Sequence, residues 1–131
     1  MNRTLPATIV LADHDPQQRS TYAQCLRQAG HDVWEAADGA QALAFVRAHQ
    51  PELLILETWM PILNGLEVLE HLAGVPEAVG LKVVMLSNER EADTRLEGFA
   101  LGVVDYWPRD MPETEFRERI DRVLLADPDT T

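Results

Sequence analysis

Cysteine is nearly absent: Cys25 is the only one among 131 residues. No internal disulfide can form, and nothing calls for an oxidising compartment. Long hydrophobic runs are missing too. No stretch approaches the roughly 20 apolar residues of a membrane helix, and the opening Met1-Asn2-Arg3-Thr4-Leu5-Pro6 lacks the apolar core of a signal peptide. A cytoplasmic protein without membrane contact is the expectation. Positive charge is scarce, with 11 Lys and Arg against 22 Asp and Glu and a net charge of -11. Such a chain repels phosphate backbones and anionic lipid, so direct nucleic-acid binding is not expected and a DNA-binding role would call for a second domain. Neither an internal repeat nor a low-complexity segment is visible.

What remains is a globular composition, 46% hydrophobic and 25% charged, in a length that suits one core. Apolar runs typical of buried parallel strands lie at Ala7–Ala12, Leu53–Leu56 and Val83–Leu86, with shorter candidates at Asp32–Glu35 and Val103–Trp107. Helical stretches lie between them. Their apolar sides are marked by Tyr22, Leu26 and Ala29; Leu43 and Val46; Val68, Leu69 and Leu72; Leu96, Phe99 and Ala100; and Phe116, Ile120, Val123 and Leu124. Each helix is announced by Asp or Asn with Glu or Gln three residues on: Asp15/Gln18, Asp38/Gln41, Asn64/Glu67, Asn88/Glu91 and Asp110/Glu113. Such pairs satisfy the free amides of a helix start reciprocally. Pro16 and Pro112 suit a first turn, where a missing N–H does no harm. The alternation predicts an α/β fold with a parallel sheet covered on both faces, spanning residues 7–125. Residues 1–6 read as an N-terminal tail, and residues 126–131 as a polar tail or the start of a linker.

Ligands of such folds sit beyond the carboxyl ends of the strands. The residues there are Asp13-His14-Asp15, Glu57-Thr58-Trp59, Ser87-Asn88 and Tyr106–Arg109. At these positions the chain resembles the receiver domain of two-component response regulators. The landmarks are Ile9-Val10-Leu11-Ala12-Asp13-His14-Asp15-Pro16, Leu53-Leu54-Ile55-Leu56-Glu57-Thr58-Trp59-Met60-Pro61 with Asn64-Gly65, then Val83–Ser87 and Gly102–Tyr106. The resemblance implies a flavodoxin-like five-stranded sheet in the order 2-1-3-4-5. It implies a phosphoacceptor position at Glu57 and a metal position at Asp13, with Glu57 as a further ligand for Mg2+. It also implies a hydroxyl at Ser87 and a cation at Arg109 to hold the phosphoryl group, and an aromatic switch of Ser87 with Tyr106. A carboxylate nucleophile, a divalent cation and fixed donors are what phosphoryl transfer requires.

Several of these positions depart from the family pattern. Glu57 stands where an Asp is usual, His14 replaces the second acid, Arg109 replaces a Lys, and Trp59 stands where a backbone carbonyl binds metal. Imidazole suits Zn2+, Cu2+ or Ni2+ better than Mg2+, so Mg2+ binding is expected to be weakened. A Glu57–Arg109 ion pair across the pocket is expected, since guanidinium matches a carboxylate. Three readings follow. The first is an atypical, non-catalytic receiver acting through protein–protein contact with a histidine kinase or output partner. Its surface would be the fourth helix, fifth strand and fifth helix, with a homodimer through that face as one form. The second is a receiver still weakly phosphorylated at Glu57. The third is a haloacid-dehalogenase-type phosphatase, whose Asp-x-Asp resembles Asp13-His14-Asp15; the short chain and Pro16 count against it. The remaining expectations are local. Trp59 or Trp107 plugs the site, Trp59 meets a partner, Trp107-Pro108 is a candidate cis bond, and Cys25 packs a helix.

Overall fold

A computed structural model describes residues 6–87 and 92–125. The strands are β1 (Thr8–Ala12), β2 (Asp32–Ala36), β3 (Leu53–Glu57), β4 (Lys82–Ser87) and β5 (Asp105–Pro108), and the helices are α1 (Pro16–Gln28), α2 (Gly39–His49), α3 (Gly65–Leu72), α4 (Ala92–Ala100) and α5 (Glu113–Leu125). The strands form one parallel sheet in the order β2-β1-β3-β4-β5, the expected doubly wound fold. Alternate residues of the central strands feed two cores. Ile9, Leu11, Leu53, Ile55, Val84 and Leu86 pack against α1 and α5, while Val10, Ala12, Leu54, Leu56, Val83 and Met85 pack on the other face. Burial on both faces explains why these strands read as unbroken apolar runs.

The helix starts are more varied than the sequence suggests. Asn64 and Glu67 form the full reciprocal capping box. Asp38 accepts from the Gln41 amide, but the Gln41 side chain reaches Ala37 instead. Asp15 caps α1 through Gln17, with Pro16 at the first position, and Gln18 turns away. Because α5 begins at Glu113, Pro112 stands just ahead of the helix rather than in its first turn. Asn88 and Glu91 lie outside the described residues. At the far sheet edge β5 starts later than predicted and includes Pro108, whose missing N–H is tolerated on a strand paired on one side. The Trp107–Pro108 bond is trans. Pro76–Ala78 adds a turn of 3-10 helix that no sequence signal announced.

Two departures matter for the surface. In α4 the expected apolar side is exposed: Leu96 and Phe99 face outward, and among the described side-chain positions 95–100 the buried one is Gly98. In the loop after β3, Ile62 has φ of 72°, and the Leu63 N–H donates to the Pro61 carbonyl at 2.8 Å. This is a three-residue γ-turn around a β-branched residue, a strained arrangement. The Ile62 side chain is 73% exposed, so little packing offsets the strain. Replacing Ile62 by Gly is expected to raise the unfolding free energy by about 1 kcal/mol in urea denaturation. A drop in stability would show that the side chain has a packing role.

Candidate functional site

Because the strands are parallel and in register, their carboxyl ends converge. Asp13 follows β1, Glu57 ends the neighbouring β3, Ser87 ends β4, and Arg109 follows β5. Asp13 and Glu57 are both buried. Asp13 Oδ1 accepts the Asp15 amide at 2.9 Å, and the Asp13 carbonyl accepts Arg19 Nη1 at 2.8 Å. The carboxylate is therefore held by its own turn, and the Asp13 backbone by α1.

Glu57 is held mainly by His14. The His14 amide donates to Glu57 Oε2 at 2.8 Å, and His14 Nδ1 lies 2.8 Å from both carboxylate oxygens. Burial pushes the Glu57 carboxyl above its ordinary value; the His14 hydrogen bonds and Arg109 pull the other way, and Asp13 adds to the rise. The expected Glu57–Arg109 ion pair forms, with Nη2 at 3.4 Å from Oε1. It is nevertheless the weaker of two contacts, because the same Nη2 donates to Asp13 Oδ1 at 2.9 Å and Oδ2 at 3.2 Å. Arg109 thus bridges the two acids from the Asp13 side. Burial works against its charge, but Asp13 and then Glu57 outweigh it and raise its pKa. Its Nε is buried without a hydrogen-bond partner, so the guanidinium is only partly satisfied.

Residues that sequence reasoning missed hold this network. The Arg109 carbonyl accepts the Tyr22 hydroxyl at 2.5 Å and the Gln18 side-chain amide as well. Gln18, read as a capping partner, therefore ties α1 to the Arg109 loop. Buried Thr58 donates both its amide, at 3.0 Å, and its hydroxyl, at 3.2 Å, to the Leu86 carbonyl, pinning the ends of β3 and β4 together. Gly65 lets the loop close: a Cβ there would lie 2.7 Å from the Glu57 carbonyl and 2.5 Å from Met85 Cε. The motif glycine is required by close approach.

Of the two tryptophans nearest the strand ends, Trp107 departs from the expected plugging role. Trp107 is buried, edge-on to Phe116, with its Nε1 donating to Asp105 at 3.0 Å; it is core, not a plug. Trp59 is 57% exposed. Ser87 is buried. Tyr106 is also buried, edge-on to Phe99 at 5.2 Å and beneath the Arg95 guanidinium at 5.4 Å. Its hydroxyl fills the space where a Gly98 side chain would stand, 1.8 Å from that Cβ position. No sequence signal marked Gly98. Cys25 packs α1 as expected, its thiol pKa raised by burial.

Among the described residues, Asp13, His14 and Glu57 are the group that could hold a metal, each offering a ligand atom within 4.8 Å of the others. The donor set is two carboxylates and an imidazole nitrogen. No helix among the described residues is long and apolar enough to cross a membrane.

A family model, the response regulator receiver domain, matches residues 9–121 of the chain. The chain belongs to that family. The receiver domain resembles the phosphate regulon transcriptional regulatory protein PhoB of Pseudomonas aeruginosa, 28% identical over 89% of this chain and 51% of that protein. It also resembles the response regulator MprA of Mycobacterium tuberculosis, 32% identical over 89% of this chain and 50% of that protein. The chain therefore spans about half the length of these curated relatives. Among solved structures, the chemotaxis protein CheY4 of Vibrio cholerae superposes with a TM-score of 0.84 at 24% identity, covering 91% of this chain and 99% of that one. A putative response regulator of Chloroflexus aurantiacus gives 0.83 at 25% identity, covering 93% and 100%. The receiver domain is a module of two-component signalling, and the phosphatase reading of Asp13-His14-Asp15 falls away with the family assignment.

Removing the bridging cation should expose the cost of two buried acids. Arg109→Met is expected to lower the unfolding free energy by about 3 kcal/mol in metal-free buffer. Adding Asp13→Asn should recover part of that loss, as read in a double-mutant cycle.

Proposed function

We propose that this receiver domain signals without ordinary phosphorylation, as an interaction module whose pocket carries its own counter-charges. The observation that supports this is the state of Glu57. Its carboxylate accepts the His14 amide, faces the His14 ring, and lies 3.4 Å from Arg109. A nucleophile held this way must break those contacts before it attacks phosphorus. A side chain one methylene longer than Asp also displaces the attacking oxygen by about an ångström, which alone can cost roughly a hundredfold. Ser87 and Arg109 keep the hydroxyl and the cation of the pocket, but the second acid is replaced by His14. A Mg2+ ion loses an oxygen ligand at that position.

The interaction surface we assign is α4–β5–α5. Leu96 and Phe99 on α4, with Leu101 and Val104 between α4 and β5, are exposed large apolar residues. Leu96 and Phe99 lie three residues apart, on one side of the helix. Tyr106, buried behind them against Gly98, fixes the other side of this face. A signalling partner, such as a kinase or an output protein, or a second copy of the domain would use this patch.

Intact-mass measurement after incubation with a small acyl-phosphate donor and Mg2+ tests the pocket. No adduct is expected on the parent protein. The double variant Glu57→Asp/His14→Asp is expected to gain a phosphoryl group. An adduct on the parent, lost in Glu57→Gln, would overturn the proposal and make Glu57 the working acceptor.

A further inference from the structure

The pocket keeps two carboxylates and carries His14 in place of a further acid, which gives it a mixed donor set. Asp13, His14 and Glu57 present one nitrogen and two carboxylates within 4.8 Å of one another. Both acids are buried, whereas the His14 side chain is 48% exposed. The ring is oriented with Nδ1 toward the acids, 2.8 Å from both Glu57 oxygens and 4.0 Å from Asp13 Oδ1. A nitrogen lone pair cannot face two carboxylate oxygens at that distance unaided, so a proton or a metal ion has to stand between them.

We infer that this pocket binds a borderline divalent transition metal, with Zn2+ as its model ion, in preference to Mg2+. The ligands are Asp13, His14 Nδ1 and Glu57. Three protein ligands of this kind suit a tetrahedral ion with one open position. Mg2+ wants oxygen in octahedral array and gives up its water reluctantly, so imidazole adds little to its binding. A neutral His14 coordinating through Nδ1 keeps its proton on Nε2, and the exposure of the ring lets that N–H meet solvent. The backbone bond from His14 to Glu57 Oε2 holds the carboxylate in place meanwhile. Arg109 has to yield only in part. Asp13 Oδ2 receives the longer of its two bonds, 3.2 Å, and the guanidinium already lacks one partner at Nε. The inference does not depend on phosphorylation, because it concerns metal binding without any phosphodonor.

Titration calorimetry on metal-free protein, with Zn2+ and Mg2+ in separate runs, tests it. The parent is expected to bind one Zn2+ per chain, more than about tenfold tighter than Mg2+. His14→Ala should lose that Zn2+ site, and His14→Asp should reverse the preference toward Mg2+. Carbon shifts of the His14 imidazole on adding Zn2+ to the parent check the ligand without any substitution. Zn2+ binding that survives His14→Ala, or leaves the His14 ring unshifted, would show that His14 is not a ligand and overturn the inference. Equal affinity of the parent for Zn2+ and Mg2+ would overturn it as well.

Discussion

Two carboxylates taken out of water beside each other are the constraint around which this pocket is arranged. Asp13 and Glu57 end up buried because they leave adjacent strands at the same edge of a parallel sheet. Two like charges in low dielectric repel, and each loses its hydration, so unassisted the pair would be costly to bury. The burial that pushes Glu57 upward is the visible part of that cost. Each acid has its own remedy. Asp13 takes the Asp15 amide and the larger share of Arg109, and Glu57 takes the amide and ring of His14. Tyr22 and Gln18 then become intelligible, since by gripping the Arg109 carbonyl they keep the bridging cation near the acids.

The substitutions at positions 14 and 57 belong together physically. An acid at position 14 would place a third carboxylate against Glu57 and Asp13, and one guanidinium could not balance all three. His14 removes a negative charge and supplies a nitrogen at hydrogen-bond distance from both Glu57 oxygens. The extra methylene of Glu57 lengthens the reach of its carboxylate, which meets both the His14 amide and ring. A histidine and a glutamate here form a matched pair, and Arg109 with its broad planar head spans the gap to Asp13.

Most elements were legible because buried parallel strands leave long apolar runs and helix starts leave polar pairs, whereas the sheet order came from the resemblance to receiver domains. Asn64/Glu67 behaved as read; Asp110/Glu113 did not, because α5 begins only at Glu113 and so Asp110 lies outside the helix. The pocket residues were legible through their places after strands. Their pairing was legible in part: the expected Glu57–Arg109 contact forms, but it is the longer one. Sequence suggested that Arg109 would seek Glu57, yet Asp13 is nearer and His14 already occupies Glu57. Spacing cannot say which of two neighbouring acids a cation will prefer. Ile62 and Gly98 were illegible for a related reason: a backbone angle and a side-chain vacancy are properties of the assembled loop and helix, not of residue type. The apolar side of α4 failed because periodicity marks a stripe without naming what covers it. There the stripe is exposed, and a glycine meets the sheet.

That glycine links the pocket end of the sheet to the outer surface. Tyr106 lies on β5, three residues before Arg109, and is buried against α4 with its hydroxyl at Gly98. Any side chain at position 98 would drive the ring out, while Phe99 and Arg95 close over it from the helix side. An inward Tyr106 and an outward Leu96 and Phe99 are therefore one packing arrangement of α4 on β5. Turning the ring outward would leave a cavity at Gly98 and disturb the edge contact with Phe99, costs that a closely packed interior resists. A pocket that neutralises its own acids, behind a helix socketed on a buried tyrosine, favours one surface state over two. That packing is the physical basis of our proposal that the receiver presents its α4–β5–α5 face without waiting for phosphate.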